Sequence, residues 1–157
     1  MNWKNINYMA SWEFACKHCR QEIAMDMFLV SGIDWLRMVF DVPVSISSGY
    51  RCPVHNANEG GAKNSFHLRG LAADVRVRDP RVMEGIYKVA IISNKFNGVG
   101  YSQEKQFVHL DTRSDVNVRY VYLPGGGTRP LNPDILAEIK RLSVRDVLRS
   151  IEGGVDG

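Results

Sequence analysis

The chain has 157 residues, 45% of them hydrophobic and 24% charged, the make-up of one ordinary globular domain, which excludes wholesale disorder, collagen-like repetition and a long coiled coil. Its longest apolar stretch, residues 24–40, is broken by Asp26, Ser31-Gly32, Asp34 and Arg37 and cannot span a bilayer, and the opening MNWKNINYMASWEF has neither the apolar core nor the small-residue cleavage site of a secretory signal. A net charge of +3 spread over scattered lysines and arginines argues against a nucleic-acid groove and gives only a weak preference for polyanions.

In chain order, Ile23, Met27, Val30, Trp35, Met38 and Phe40 recur at helical spacing and predict a helix over 22–41, stopped by Pro43. Val44-Ser45-Ile46-Ser47 alternates like a strand, and residues 48–53 read as a loop. Residues 55–66 are rich in Asn, Gly and Ala around Gly60-Gly61, a polar stretch long enough to be functional. Ala72 to Arg78 predicts a strand and Pro80 opens a second helix. Asn97-Gly98 predicts a turn, followed by a short strand at Val99-Gly100-Tyr101. Gln106 to Thr112 predicts another strand, with Phe107, His109 and Asp111 on one face and Val108 and Leu110 on the other. Val118 to Leu123 reads as the final strand. Gly125-Gly126-Gly127 is a turn or flexible joint. Pro133 opens a helix, and Ser143-x-x-Asp146 restarts it with a variant of the capping box. The pattern is α+β: a small mixed or antiparallel sheet flanked by helices. Residues 1–124 form the functional part, and 125–157 the joint and helical tail of the same domain.

Two constellations carry chemistry. Cys16-x-x-Cys19 with Cys52-x-x-His55 supplies the residue types of a Cys3His zinc site; reduced thiols and a disulfide are the alternatives. The second is Ser65-x-His67-x-x-Gly70-x-Ala72-x-Asp74, joined by His109 on its strand. Two histidines and a carboxylate are normal zinc ligands, and a catalytic zinc keeps three protein ligands and an open position. From spacing alone they are equally a set of polar residues that satisfy one another.

The ordered pieces Phe14-x-Cys16, Ser48-Gly49-Tyr50-Arg51, His55-Asn56, Gly60-Gly61-Ala62, Ser65-x-His67-x-x-Gly70-x-Ala72-x-Asp74, Gly98-Val99-Gly100-Tyr101 and Phe107-Val108-His109-x-Asp111 resemble the zinc D-Ala-D-Ala carboxypeptidase and peptidoglycan endopeptidase family. Its fold is shared with hedgehog signalling domains. The resemblance implies that His67, Asp74 and His109 bind Zn2+, and that Arg51 stabilises an oxyanion or holds a substrate carboxylate. It implies that Ser65 contacts substrate or supports the site. Many members carry an acid three residues before the second histidine; here that position is Gln106, which cannot accept a proton. Asp111 and Glu104 remain. The His-x-Asp form favours Asp111 as a site residue, either as general base or as a group that orients Arg51 or a ligand histidine.

The function this implies is zinc-dependent hydrolysis of peptidoglycan stem peptides or cross-links, at a bond involving D-alanine or at L-Ala–D-Glu. The expected setting is a phage or prophage lytic enzyme, made in the cytoplasm without a signal peptide and acting at the cell wall after release. The partner is peptidoglycan peptide, with no nucleic acid, no membrane insertion and a monomeric state. The competing reading is a non-catalytic zinc-binding structural or wall-binding module of the same fold. DNA binding through the Cys-x-x-Cys is disfavoured, because no basic stripe follows it.

Overall fold

Local capping decides where the helices begin. In the computed structural model, which describes residues 3–114 and 116–153, α1 runs Met27–Phe40 and starts where the Asp26 carboxylate accepts a hydrogen bond from Leu29 N. The apolar stripe begins earlier, at Ile23, but the chain becomes helical only after a residue able to cap it. Asp41, at φ 49°, ends the helix in the left-handed region. A single-turn 3-10 segment at Ser11–Phe14 precedes it.

The expected strand follows as β1 (Ser45–Ser48). The segment after it departs from expectation: part of the loop and of the polar stretch is helical, α2 (Pro53–Asn58). Pro53 occupies its first turn, and Cys52 Sγ accepts from His55 N at 3.4 Å as the cap. A thiol at this position is an unusual cap, so Pro53 is the one start signal the sequence carries here. A second 3-10 turn, Phe66–Arg69, leads into β2 (Ala72–Arg76). Then come α3 (Pro80–Ser93), capped by Asp79, β3 (Gly98–Ser102), β4 (Phe107–Asp111) and β5 (Val118–Tyr122).

β5 is not the last strand. Gly125, Gly126 and Gly127 all have positive φ and turn the chain back, so that β6 (Thr128–Pro130) pairs antiparallel with β5. Three residues are too few to show an alternating pattern. α4 (Pro133–Arg141) and α5 (Val144–Glu152) follow, the latter opened by a reciprocal Ser143–Asp146 capping box. The last four residues of the 125–157 segment lie outside the described residues.

The six strands form one sheet in the order β1-β2-β4-β3-β5-β6. All neighbours are antiparallel except β3 and β5, so the architecture is α+β with a mixed sheet. The apolar core lies between α1, α3 and the sheet. Leu29, Ile33 and Leu36 of α1, Met83 and Ile86 of α3, and Val99, Val108 and Leu110 of the central strands are fully buried there. α5 lies on α3, and Gly85 leaves room for Ile151. With one face of β4 committed to this core, alternation sends Phe107, His109 and Asp111 to the other face. No helix among the described residues is long and apolar enough to cross a membrane.

Candidate metal centre

Strand register places the first two candidate ligands. Asp74 on β2 is the antiparallel partner of His109 on β4, and cross-strand partners hold their side chains a few ångströms apart on one face. His109 Nδ1 lies 2.9 Å from Asp74 Oδ1. His67 comes from the 3-10 turn before β2, which Gly70 closes at φ 69°. Its Nδ1–H donates to Gly49 O at 2.8 Å, which leaves the Nε2 lone pair facing inward. That Nε2 is 3.3 Å from His109 Nδ1 and 3.4 Å from Asp74 Oδ1.

The three ligand atoms thus form a closed, buried triangle. Zinc bonds of about 2.0–2.2 Å in tetrahedral geometry separate neighbouring ligand atoms by about 3.3–3.5 Å. Two edges match that spacing and the third is shorter. Two imidazoles and a carboxylate, with a groove on the remaining side, are the donor set of a catalytic zinc site. Residues and spacing therefore fit the metal.

The groups behind the triangle are as ordered as the triangle. The far nitrogen of His109, Nε2, donates to Asp111 Oδ2 at 3.1 Å. Asp111 is fully buried. Arg113 grips it from the other side, with Nε 2.8 Å and backbone N 3.1 Å from Oδ1 and with Nη2 on Oδ2. The second oxygen of Asp74 accepts from Arg51 Nη2 at 2.6 Å, and Arg51 Nε donates to Ser48 Oγ at 2.7 Å.

These contacts set the ionisation. Burial lowers the His67 pKa and outweighs the attraction of Asp74. Burial opposes the charged form of His109 too, but hydrogen bonds to Asp111 and Asp74 raise its pKa to about 9. Burial would push Asp74 up, yet His67 and His109 hold it well below the usual carboxylate range. For Asp111, Arg113 and His109 overcome burial in the same way.

The groove above the triangle has a volume of about 1200 Å³. Arg51, Ser65, His67, Asp74, Glu104 and His109 line it, so it gathers most of the residues singled out in the sequence. Asp111 lies behind His109 and is not part of the lining. Glu104 is exposed at the rim. Gln106 sits at φ 52° in the turn into β4, and its amide donates to Gln103 O.

Sequence reasoning missed Arg113, Tyr120 and Tyr122. Arg113 stacks on Phe66 at 4.6 Å as well as holding Asp111. Tyr120 and Tyr122 line the groove with their hydroxyls 3.4 Å apart, and the Tyr120 ring is 6.1 Å from His109. The signal was the period of two: Arg113 continues the face of His109 and Asp111, and Tyr120 and Tyr122 share one face of β5.

Two glycines of β3 make room for this arrangement. A Cβ on Gly98 would lie 2.1 Å from the Asp111 carboxylate, and one on Gly100 would lie 2.4 Å from the Tyr120 ring. The Asp111 carboxylate does not yield easily, because it is held by both His109 and Arg113. Gly98→Ala is therefore expected to destabilise the fold by about 1–3 kcal/mol, as overpacking does, and to weaken metal binding. Thermal unfolding with and without zinc measures both.

Residues 7–111, two thirds of the chain, match the family described as Peptidase M15. Over 76 residues the chain is 38% identical to the peptidoglycan L,D-endopeptidase MepK of Escherichia coli (strain K12), a segment that covers 45% of this chain and 40% of that protein. The probable peptidoglycan L,D-endopeptidase MepK of Haemophilus influenzae (strain ATCC 51907 / DSM 11121 / KW20 / Rd) is 34% identical over 74 residues, 44% of this chain and 39% of that protein. The chain thus spans about two fifths of the length of the curated relatives it matches. The extent of the family match, which takes in Arg51, His67, Asp74, His109 and Asp111, establishes that the chain belongs to the peptidase M15 family.

Proposed function

We propose that this chain hydrolyses peptide bonds in peptidoglycan stem peptides or cross-links as a zinc-dependent endopeptidase. The observation that carries the reading is the buried His67–Asp74–His109 triangle at the floor of a groove large enough for an extended peptide. His67, Asp74 and His109 hold the zinc. When bound there, zinc supplies Lewis-acid polarisation of the scissile carbonyl and a water of lowered pKa.

The chain's own residues supply the rest. Asp111 is a positioning residue: it fixes the ring of His109 and its protonated nitrogen, and Arg113 fixes Asp111. Both of its oxygens are engaged and it is sealed from the groove, so proton acceptance falls to Glu104 at the rim. Arg51 holds Asp74 and presents a guanidinium to the groove, where it stabilises an oxyanion or pairs with a substrate carboxylate. Burial raises the pKa of Tyr122 to about 12 and that of Tyr120 further. Both phenols remain hydrogen-bond donors at neutral pH and suit developing negative charge. Ser65 contacts the peptide at the groove wall.

Substrate class follows from charge and kinship. Among the described residues, five Arg or Lys and three Asp or Glu line the groove, which favours a carboxylate-bearing peptide. The relatives named L,D-endopeptidases support an internal bond over a C-terminal residue. A phage or prophage lytic setting, with cytoplasmic synthesis and action at the wall after release, belongs to the same proposal; its support is the resemblance of the motif set to that subgroup.

The second reading, a non-catalytic zinc-binding module, draws on Gln106 at the position where many relatives carry an acid. A clearing assay on purified cell walls separates the two. Wild-type protein is expected to clear them, to stop on chelation and to resume when zinc is restored. A folded, zinc-loaded protein that clears nothing supports the binding module instead.

A further inference from the structure

None of the cysteines lines the groove, and the fold gathers all three. The Sγ atoms of Cys16, Cys19 and Cys52 lie within 4.8 Å of one another, although Cys52 is 36 residues from Cys16. None of the three is in a disulfide. His55 Nδ1 is 3.4 Å from Cys16 Sγ. We propose that Cys16, Cys19, Cys52 and His55 form a second zinc site, structural rather than catalytic.

Zinc–sulfur bonds of about 2.3 Å and zinc–nitrogen bonds of about 2.0 Å place tetrahedral S and N neighbours about 3.5 Å apart, close to the His55–Cys16 distance. Three thiolates and an imidazole are soft ligands, which select zinc over magnesium or calcium. Four protein ligands close the site to water, which marks it as structural.

The backbone is arranged for thiolates. Cys52 N–H donates to Cys16 Sγ at 3.4 Å, and His55 N–H donates to Cys52 Sγ at 3.4 Å. The Cys-x-x-Cys segment folds into a tight loop closed by Arg20 N to Cys16 O at 2.8 Å and Cys16 N to Gln21 O at 2.9 Å. Arg20 adopts φ 62° to make that loop, a conformation uncommon for a residue with a Cβ. The result is two thiols turned toward one point.

The three thiols alone are already clustered within 4.8 Å, and the fourth position falls to His55, which touches Cys16, rather than His18. His18 Nδ1 is 3.7 Å from Cys52 Sγ, but that side chain is exposed. His55 is 13% exposed, and its other nitrogen faces Glu59 Oε1 at 3.8 Å. Ligand histidines usually have such a partner on the second nitrogen.

The site has a structural task in reach. It ties the N-terminal segment to the loop that serves the catalytic triangle. Gly49 O orients His67, Tyr50 N donates to Phe14 O at 2.8 Å, and Arg51 N donates to His67 O at 3.2 Å. Cys52 follows directly, so a metal at Cys52 anchors the loop one residue from Arg51.

Elemental analysis of the full chain, purified with zinc and a reductant, tests the proposal without relying on catalysis. Wild-type protein is expected to hold two zinc ions per chain, one of them released by a mercurial thiol reagent. His67→Ala is expected to keep one zinc, and cobalt in its place should show thiolate-to-metal charge transfer. Cys19→Ser is expected to keep one zinc and to lose that band. His55→Ala should weaken zinc retention at the thiolate site, and His18→Ala should not; the reverse overturns the choice of His55. A wild-type protein with a single zinc that the mercurial does not release overturns the site. So does a denatured protein, purified without reductant but with zinc, that titrates one free thiol instead of three.

Discussion

His67→Ala is expected to empty the catalytic centre and to lower peptidoglycan hydrolysis by on the order of 10³-fold or more. The change removes one atom of the ligand triangle, and Asp74 and His109 alone leave two. It also removes the N–H that donates to Gly49 O, so the loop carrying Arg51 loses an anchor. Metal at such a site contributes several kcal/mol to the transition state, and each 1.36 kcal/mol is about tenfold in rate. Circular dichroism separates this from global unfolding: the far-ultraviolet spectrum should persist while metal and activity fall together. Activity that survives in a protein lacking this metal would contradict the assignment.

The second large effect divides two carboxylates. Glu104→Gln is expected to lower turnover by about 10²–10⁴-fold, the usual contribution of a positioned general base, with zinc affinity unchanged. Asp111→Asn is expected to do the opposite. Its oxygens orient His109 and accept from Arg113, so zinc affinity should fall by about 10–100-fold. Turnover at saturating zinc should stay close to wild type. Zinc titrations paired with turnover at saturating metal measure the split. If Asp111→Asn loses turnover at full metal loading while Glu104→Gln does not, Asp111 is the base.

The candidate ligand set was readable because its residues are chemically rare and two of them are carried on strands. His109 and Asp111 share a face by simple alternation, and β2 and β4 were both visible as strands. The pairing of Asp74 with His109 was not visible, since register depends on the whole sheet. The role of Asp111 was open for the same reason. Which nitrogen of His109 faces Asp74 is decided by three dimensions, and the contacts of Asp111 with His109 and Arg113 are what favour the positioning role proposed for it. Helix α2 escaped because it has six residues and a cysteine cap that outweighed the Pro53 start signal, and β6 escaped because it has three residues. The cysteines were ambiguous in sequence because Cys16 and Cys52 meet only through the loop that Tyr50 ties to Phe14.

The most direct test of the central claim is mass spectrometry of peptidoglycan digested by the purified full chain. Zinc-loaded wild-type protein should release fragments cut within the stem peptides or cross-links, and neither the chelated protein nor His67→Ala should release them. Intact muropeptides after incubation with folded, zinc-loaded wild type, or the same fragments from His67→Ala, would contradict it.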